Sequence, residues 1–472
     1  MTAALGPSAA EAALPGAGAL PPYSADAHPP EALVTVLLAL AIVAGALGLL
    51  ASWDALRRGW EPSPRRLLAA SVLATAAVCA VPSIGSSDIV SYAAYGRMAT
   101  TGHDPYATAP SILARAGDPV AVNVESWFNA TSIYGPLATA EQALASTVGG
   151  RSLRTTVTML VLLNAVGFAV TTVVLHAASR TAARRRRALF LWGLNPVLGF
   201  EIVAAGHVDA WTTACTLAAV LTVRRSAVVA GVLVGLAVDV KFSIGIIALA
   251  FVPLLWRQWW RLGGFVAAGG VAVVPVYAAA GPHVFDQARA ASSFVSHANV
   301  WQPVALLLDQ FGVPRGAVTT VAGLAAAALA VVLLRRWLGR LDATADTTTR
   351  AATAVAAVLA GYLLLTAYVL PWYDAPLWAM LALLPASRMD RLLLAHTSLL
   401  GVAYLPGNVA VPRATPVRVG QFIVQRIVAP PVLAATAILA AKSRAHEDPA
   451  RPSAGGVVAK LLKHRSRPPY PE

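Results

Sequence analysis

Charge is scarce in this chain, and its scarcity narrows the class before any motif is read. Only 12 % of residues are Asp, Glu, Lys or Arg, 57 % are hydrophobic and the mean hydropathy is +0.65. That is about half the charge of a soluble domain. A soluble globular protein is excluded, and the expected class is an all-α polytopic membrane protein. Cysteine is nearly absent: Cys79 and Cys215 both lie inside apolar runs, so neither a disulfide framework nor a zinc knuckle is legible. No G-x-G-x-x-G follows a strand pattern, and no Gly-Lys-Thr/Ser P-loop occurs. The first 30 residues hold no Lys or Arg, so they lack the basic start of a signal peptide, and the first apolar run is expected to be an uncleaved anchor.

What is present is a series of apolar runs. Windows of about 20 residues place spans at 33–52, 67–84, 155–178, 188–206, 208–223, 227–241, 243–256, 263–281, 315–334, 351–370, 375–386, 391–406 and 419–441, thirteen in all. The runs 243–256 and 375–386 are short for a bilayer, as broken or tilted helices are. The stretch 135–149 is apolar but also short, and a span there would export the run Arg184 to Arg187. It is expected to be an interfacial or re-entrant helix.

The formal charge of +14 is carried by short clusters at the ends of these runs, which is a topology signal and not a nucleic-acid footprint. Arg57, Arg58, Arg65, Arg66, Arg180, the Arg184–Arg187 run, Arg224, Arg225, Arg257, Arg261, Arg335, Arg336, Arg340, Arg388, Arg391 and the tail from Lys442 fall on one side. By the positive-inside rule that side is cytoplasmic, with the N-terminus outside. The expected organisation is a disordered, Pro- and Ala-rich external tail at 1–30, a transmembrane domain at 31–443 with a long first external loop at 85–152, and a disordered basic cytoplasmic tail at 444–472.

On that topology the unusual polar residues share the external face. The first loop carries Asp88, Tyr92, Tyr95, Arg97, His103, Asp104, Tyr106, Trp127 and Tyr134. Other helix ends add His207, Asp209, Asp239, Lys241, His297, Asn299, Trp301, Trp372, Tyr373 and Asp374, with Glu201 and Arg426 inside spans near the same face. Such convergence describes a polar site open to the outside. Plainer roles compete. Trp and Tyr at helix ends form interfacial belts, "TGHDPY" reads as a turn, Lys241 and Asp239 suit a local ion pair, His207 and Asp209 are wrongly spaced for a helical metal pair, and Asp88 follows two serines where a helix cap would serve.

The stretch "SSDIVSYAAYGRMATTGHDPY" from Ser86 resembles the signature of actinobacterial polyprenol-phosphate-mannose-dependent α-1,6-mannosyltransferases, membrane glycosyltransferases of the GT-C type. Further similarities follow in order: "SIYGPL" from Ser132, "WGLNPVLGFEIVAAGHVDAW" from Trp192, "GLAVDVKFS" from Gly235 and "YVLPWYDAP" from Tyr368. The resemblance implies a GT-C fold and mannosyl transfer from a polyprenyl-phosphate-mannose donor to a mannan or lipoglycan acceptor, as in lipomannan assembly, at the external face of the plasma membrane. It makes Asp88 the catalytic base. Tyr92, Tyr95, Arg97, Asp104, Tyr106, Tyr134, Glu201, His207, Asp209, Lys241, His297, Trp372, Tyr373 and Arg426 are then the candidate substrate-binding set, with Lys241 and Arg426 as the cations for the lipid phosphate.

The chemistry is coherent on its own terms. A lipid-phosphate sugar has a good leaving group, so one carboxylate that accepts the acceptor's hydroxyl proton suffices. No DxD occurs in the first loop, and no cofactor or obligate metal is expected. Arabinofuranosyl transfer from a similar donor, transfer to a different acceptor such as an inositol lipid, a lipid-linked sugar transporter and a non-catalytic scaffold remain as alternatives. No inverted repeat favours the transporter.

Overall fold

The computed structural model describes residues 1–6, 9, 20–407, 409 and 411–443. The basic tail from 444 and residues 7, 8 and 10–19 of the Pro- and Ala-rich leader lie outside the described residues. The described part of the leader lies against the body: Tyr23 N–H donates to the Ala80 carbonyl, and the Arg154 guanidinium donates to the carbonyls of Leu20 and Pro22.

Helix is the only regular secondary structure among the described residues, with no strand among them. Each of the thirteen expected segments overlaps a helix, although the helices of 67–84 and 351–370 already stop at Cys79 and Leu365. Seven helical segments are long and apolar enough to cross a membrane: Glu31–Arg57, Leu153–Ala178, Ala182–Ala204, Trp259–Ala280, Arg315–Leu338, Thr347–Leu365 and Thr415–Lys442. Shorter apolar helices, Ala227–Val240 and Phe242–Leu255, lie between them. Leu40, Leu47, Val271 and Leu324 are exposed on the outside of the bundle, a cost in water that vanishes in hydrocarbon. Thr347–Leu365 is buried along most of its length and forms the central post. The chain is an all-α polytopic membrane protein.

Caps fix where the helices start. Ser152, Thr181, Ser226 and Asp346 each accept a backbone N–H from the first turn of the helix that follows, and Ser387 with Asp390 forms a capping box. Arg187, expected only as part of a topology cluster, has a structural task as well. It forms a fork with Asp390 at 2.8 and 2.9 Å and also donates to the carbonyls of Leu381, Leu384 and Pro385. The arginine-rich ends of two helices are thereby pinned together.

The segment 85–152 contains the helices Asp88–Thr100, Pro110–Arg115 and Pro136–Gly149. The stretch expected at 135–149 is thus helical, and at 14 residues it falls short of a bilayer span. Asp88–Thr100 crosses Pro136–Gly149 closely because position 96 is Gly: a Cβ there would collide with the Gln142 carbonyl. This loop assembly caps one end of the bundle, called here the loop face.

Candidate active site

The site begins at a pinned turn. Ile84 N–H and the Ser83 hydroxyl both donate to the Ala204 carbonyl, and Asp88 opens its helix immediately afterwards. Because the segment is helical, Asp88, Tyr92 and Tyr95 at i, i+4 and i+7 share one face, and all three line a cavity of about 610 Å³. That volume lies within the range of small-ligand pockets, about 300–1,000 Å³. The loop 126–134 closes one wall and is fastened to the helix by Ser87 Oγ···Ser126 Oγ (2.6 Å) and by the Ser91 hydroxyl donating to the Ser126 carbonyl (2.7 Å). Tyr95 donates to the Ala130 carbonyl at 3.2 Å.

Asp88 does not cap its helix. Its Oδ1 accepts the indole N–H of Trp127 at 2.9 Å. Trp127 has φ 59°, in the left-handed region that costs a non-glycine residue about 1–3 kcal/mol, and its ring stacks on Phe294 at 6.2 Å and 17°. Burial pushes the Asp88 carboxyl up to about 6, opposed by the Trp127 N–H and the Lys241 charge and reinforced by Asp209. A carboxylate ionised just below neutral pH is well matched to general-base work. Burial also raises Tyr92 and Tyr134 well above the ordinary phenol range, so both remain neutral hydroxyls.

Behind Asp88 the Tyr92 hydroxyl bonds Tyr134 Oη at 2.8 Å and His207 Nδ1 at 2.9 Å, and the His207 ring stacks on Trp372 at 3.6 Å and 15°. Lys241 Nζ donates to Asp209 Oδ1 at 2.8 Å and sits 3.5 Å over the Tyr373 ring. The expected local pair of Lys241 with Asp239 is therefore replaced by a partner on another helix. The Gly135 N–H donates to the Val240 carbonyl, and a side chain at 135 would strike the Asp239 carbonyl, so "GPL" needs its glycine to seat the loop against the helix break before Lys241.

Of the expected set, Asp88, Tyr92, Tyr95, Tyr134, Lys241, Trp372 and Tyr373 line the cavity. His207 and Asp209 stand directly behind Tyr92 and Lys241. The others lie elsewhere. Arg97 is paired with Asp118 at 2.8 Å, and although burial opposes ionisation, this pairing and the N–H groups of Ala121 and Val120 hold the Asp118 carboxyl low. Asp104 Oδ1 accepts the Tyr106 N–H in the turn, and Tyr106 Oη bonds Thr139 Oγ1, so this part of "GHDPY" is structural. Glu201 is buried beneath Gly401, inside a span. Asp374 accepts from Thr397 Oγ1 at 2.6 Å and pairs with His396 Nδ1, locking the turn that presents Trp372 and Tyr373. His297 and Arg426 contact each other outside the cavity lining.

Sequence reasoning missed Trp127 as the partner of Asp88 and also missed the walls supplied by Phe242, Phe294, Tyr362 and Tyr368. The clustered aromatics of "SWFNATSIY" were the available signal for Trp127, but nothing local ties position 127 to position 88. No group of three or more His, Cys, Asp and Glu side chains is disposed to hold a metal ion among the described residues.

Residues 3–258, more than half of the chain, match the family described as "Alpha-(1->6)-mannopyranosyltransferase, N-terminal domain". The chain is also 29 % identical over 184 residues to the Alpha-(1->6)-mannopyranosyltransferase A of Corynebacterium glutamicum, a match covering 39 % of this chain and 36 % of that relative. It thus spans little more than a third of the relative's length. No solved structure matches. The matched 3–258 contains the Asp88 helix, the Trp127 loop, His207, Asp209 and Lys241, and on that ground the chain belongs to the alpha-(1->6)-mannopyranosyltransferase family.

Proposed function

We propose that this protein transfers mannose from a polyprenyl-phosphate-mannose donor to a mannoside acceptor, forming an α-1,6 linkage in lipomannan or related lipoglycan assembly. The loop face is external in this reading, the arginine-rich face cytoplasmic, and the catalytic domain runs from 31 to 443 between two tails. The observation that carries the proposal is the Asp88 carboxylate, held by Trp127 at the wall of an aromatic cavity with Lys241 charged nearby.

In the reaction, ionised Asp88 accepts the proton of the acceptor hydroxyl as its oxygen attacks the anomeric carbon. The bond from that carbon to the phosphate oxygen breaks on the opposite face, and polyprenyl phosphate leaves. A single displacement inverts a β-mannosyl phosphate to an α-mannoside. Lys241, fixed by Asp209, supplies positive charge for the departing phosphate. Trp127, Tyr368 and Trp372 offer flat apolar surfaces for sugar rings, and the neutral hydroxyls of Tyr92 and Tyr134 offer hydrogen bonds.

Purified protein incubated with radiolabelled polyprenyl-phosphate-mannose and a short α-1,6-mannoside tests this. Labelled, chain-extended product that α-1,6-mannosidase digests is expected. A labelled acceptor obtained only with an arabinofuranosyl donor would move the reaction to that donor, and no transfer with either would overturn it.

A further inference from the structure

Several cations of the loop face have a carboxylate partner, and Arg426 does not. Arg97 is paired with Asp118, Lys241 with Asp209 and Arg315 with Asp309. Arg426, inside the span Thr415–Lys442, has two neutral partners. Its Nη2 lies 3.4 Å from His297 Nδ1, and with the Gln302 amide turned so that its oxygen faces the guanidinium, Nη1 donates to Gln302 while the Gln302 nitrogen donates to the Ser296 carbonyl. No carboxylate pairs with Arg426 among the described residues.

Three features make this arrangement more than a stray charge. An arginine in a membrane span costs several kcal/mol unless an anion or a wet cavity meets it. The helix is locally widened at Arg426, where Val424–Val428 forms a π turn, a feature concentrated at functional sites. His297 lies outside the spans, and its imidazole is held neutral by partial burial and by the Arg426 and Arg315 charges. Neutral His297 accepts from Arg426 at Nδ1, which leaves the Nε2 proton as a further donor of the group.

We propose that Arg426, with His297 and Gln302, forms an anion site for the phosphate of a membrane lipid, separate from the Asp88 cavity. The two sites share a strap of chain. Phe294 and residues Thr366 to Tyr368 line the cavity, whereas His297 belongs to the Arg426 group. Between them Ser296 N–H donates to the Ala367 carbonyl, the Val369 N–H donates to Ser296 Oγ and Asn299 Nδ2 donates to the Thr366 carbonyl. A phosphate drawn against Arg426 therefore bears on a wall of the Asp88 cavity. The ligand chemistry is a phosphate ester on an apolar tail, supplied either by a bulk anionic phospholipid or by the sugar donor in a docking position before its phosphate reaches Lys241. The donor alternative rests on the function proposed above, and the binding test does not.

The full chain in maltoside micelles is titrated with dodecyl phosphate, followed by native mass spectrometry, with inorganic phosphate as the tailless control. Arg426→Gln should weaken dodecyl phosphate binding at least tenfold, and Arg426→Lys, which keeps the charge but not the fork, about threefold to tenfold. Asp88→Asn should leave it within twofold. If Arg426→Gln does not yield monodisperse protein, the lysine variant decides alone. Binding unaffected by either Arg426 substitution but lost in Lys241→Met would overturn the proposal and return the phosphate to the Asp88 cavity. With binding lost in Arg426→Gln, a raised donor KM identifies the sugar donor as the source, and unchanged donor kinetics identify bulk phospholipid.

Discussion

The hydrogen bond from Trp127 to Asp88 sets the ionisation of the proposed base, and Trp127→Phe isolates it. Phenylalanine keeps an aromatic ring to stack on Phe294 but has no donor for Asp88 Oδ1, which now receives the indole N–H at 2.9 Å. A hydrogen bond to a charged group contributes about 1.5 kcal/mol at the low end, which is about one pKa unit. The carboxyl that burial places at about 6 should then titrate near 7. The sign follows from which form the bond favours: the N–H stabilises the carboxylate, so its loss raises the pKa and removes active base on the acid side. At pH 6 kcat/KM should fall about fivefold, and above about pH 8 the two enzymes should converge. The assay is mannosyl transfer with radiolabelled donor from pH 5 to 9, with both proteins checked for monodispersity at each pH. A parallel loss at every pH, or an acid limb that does not move, would refute the assignment of Trp127 as the group that tunes Asp88.

Asp88→Asn keeps the size and any capping ability, so it should lower kcat at least about a hundredfold with normal expression; near-normal turnover would remove Asp88 as the base. The same variant has a stability signature. Because the folded pKa of about 6 exceeds the ordinary 3.8, ionising Asp88 disfavours the folded state, fully so above pH 6. Asp88→Asn should therefore stabilise the protein by on the order of 3 kcal/mol at pH 8 and by under about 1 kcal/mol at pH 4, read as denaturation midpoints in detergent; an equal effect at both pH values contradicts the burial argument. Asp209→Asn leaves Lys241 buried without its counter-charge and should cost about 3–5 kcal/mol, whereas adding Lys241→Met should restore the melting temperature but not turnover; a double variant as unstable as the single one places the damage outside the pair. For the topology, cysteine at Thr108 should react with an impermeant maleimide in whole cells and cysteine at Ala183 should not; the reverse pattern inverts the protein.

The class of the protein and one helical face of the candidate site were legible from hydropathy and local spacing. Hydropathy runs placed the helices because a bilayer demands long apolar segments with every backbone group bonded internally, and the seven long spans follow those runs. The spacing of Asp88, Tyr92 and Tyr95 gave their shared face, since helical periodicity is local information. Tertiary structure alone decided what each polar group does. Trp127 reaches Asp88 across 39 positions from a loop and Lys241 reaches Asp209 across 32 between helices, contacts that no local period encodes. The same packing took Arg97, Asp104 and Tyr106 into loop structure, buried Glu201 under Gly401 and set Arg426 beside His297 instead of in the cavity. Sequence composition brings polar residues to one end of a bundle because charge avoids hydrocarbon, but which of them meet is fixed by side-chain packing between helices distant in the chain.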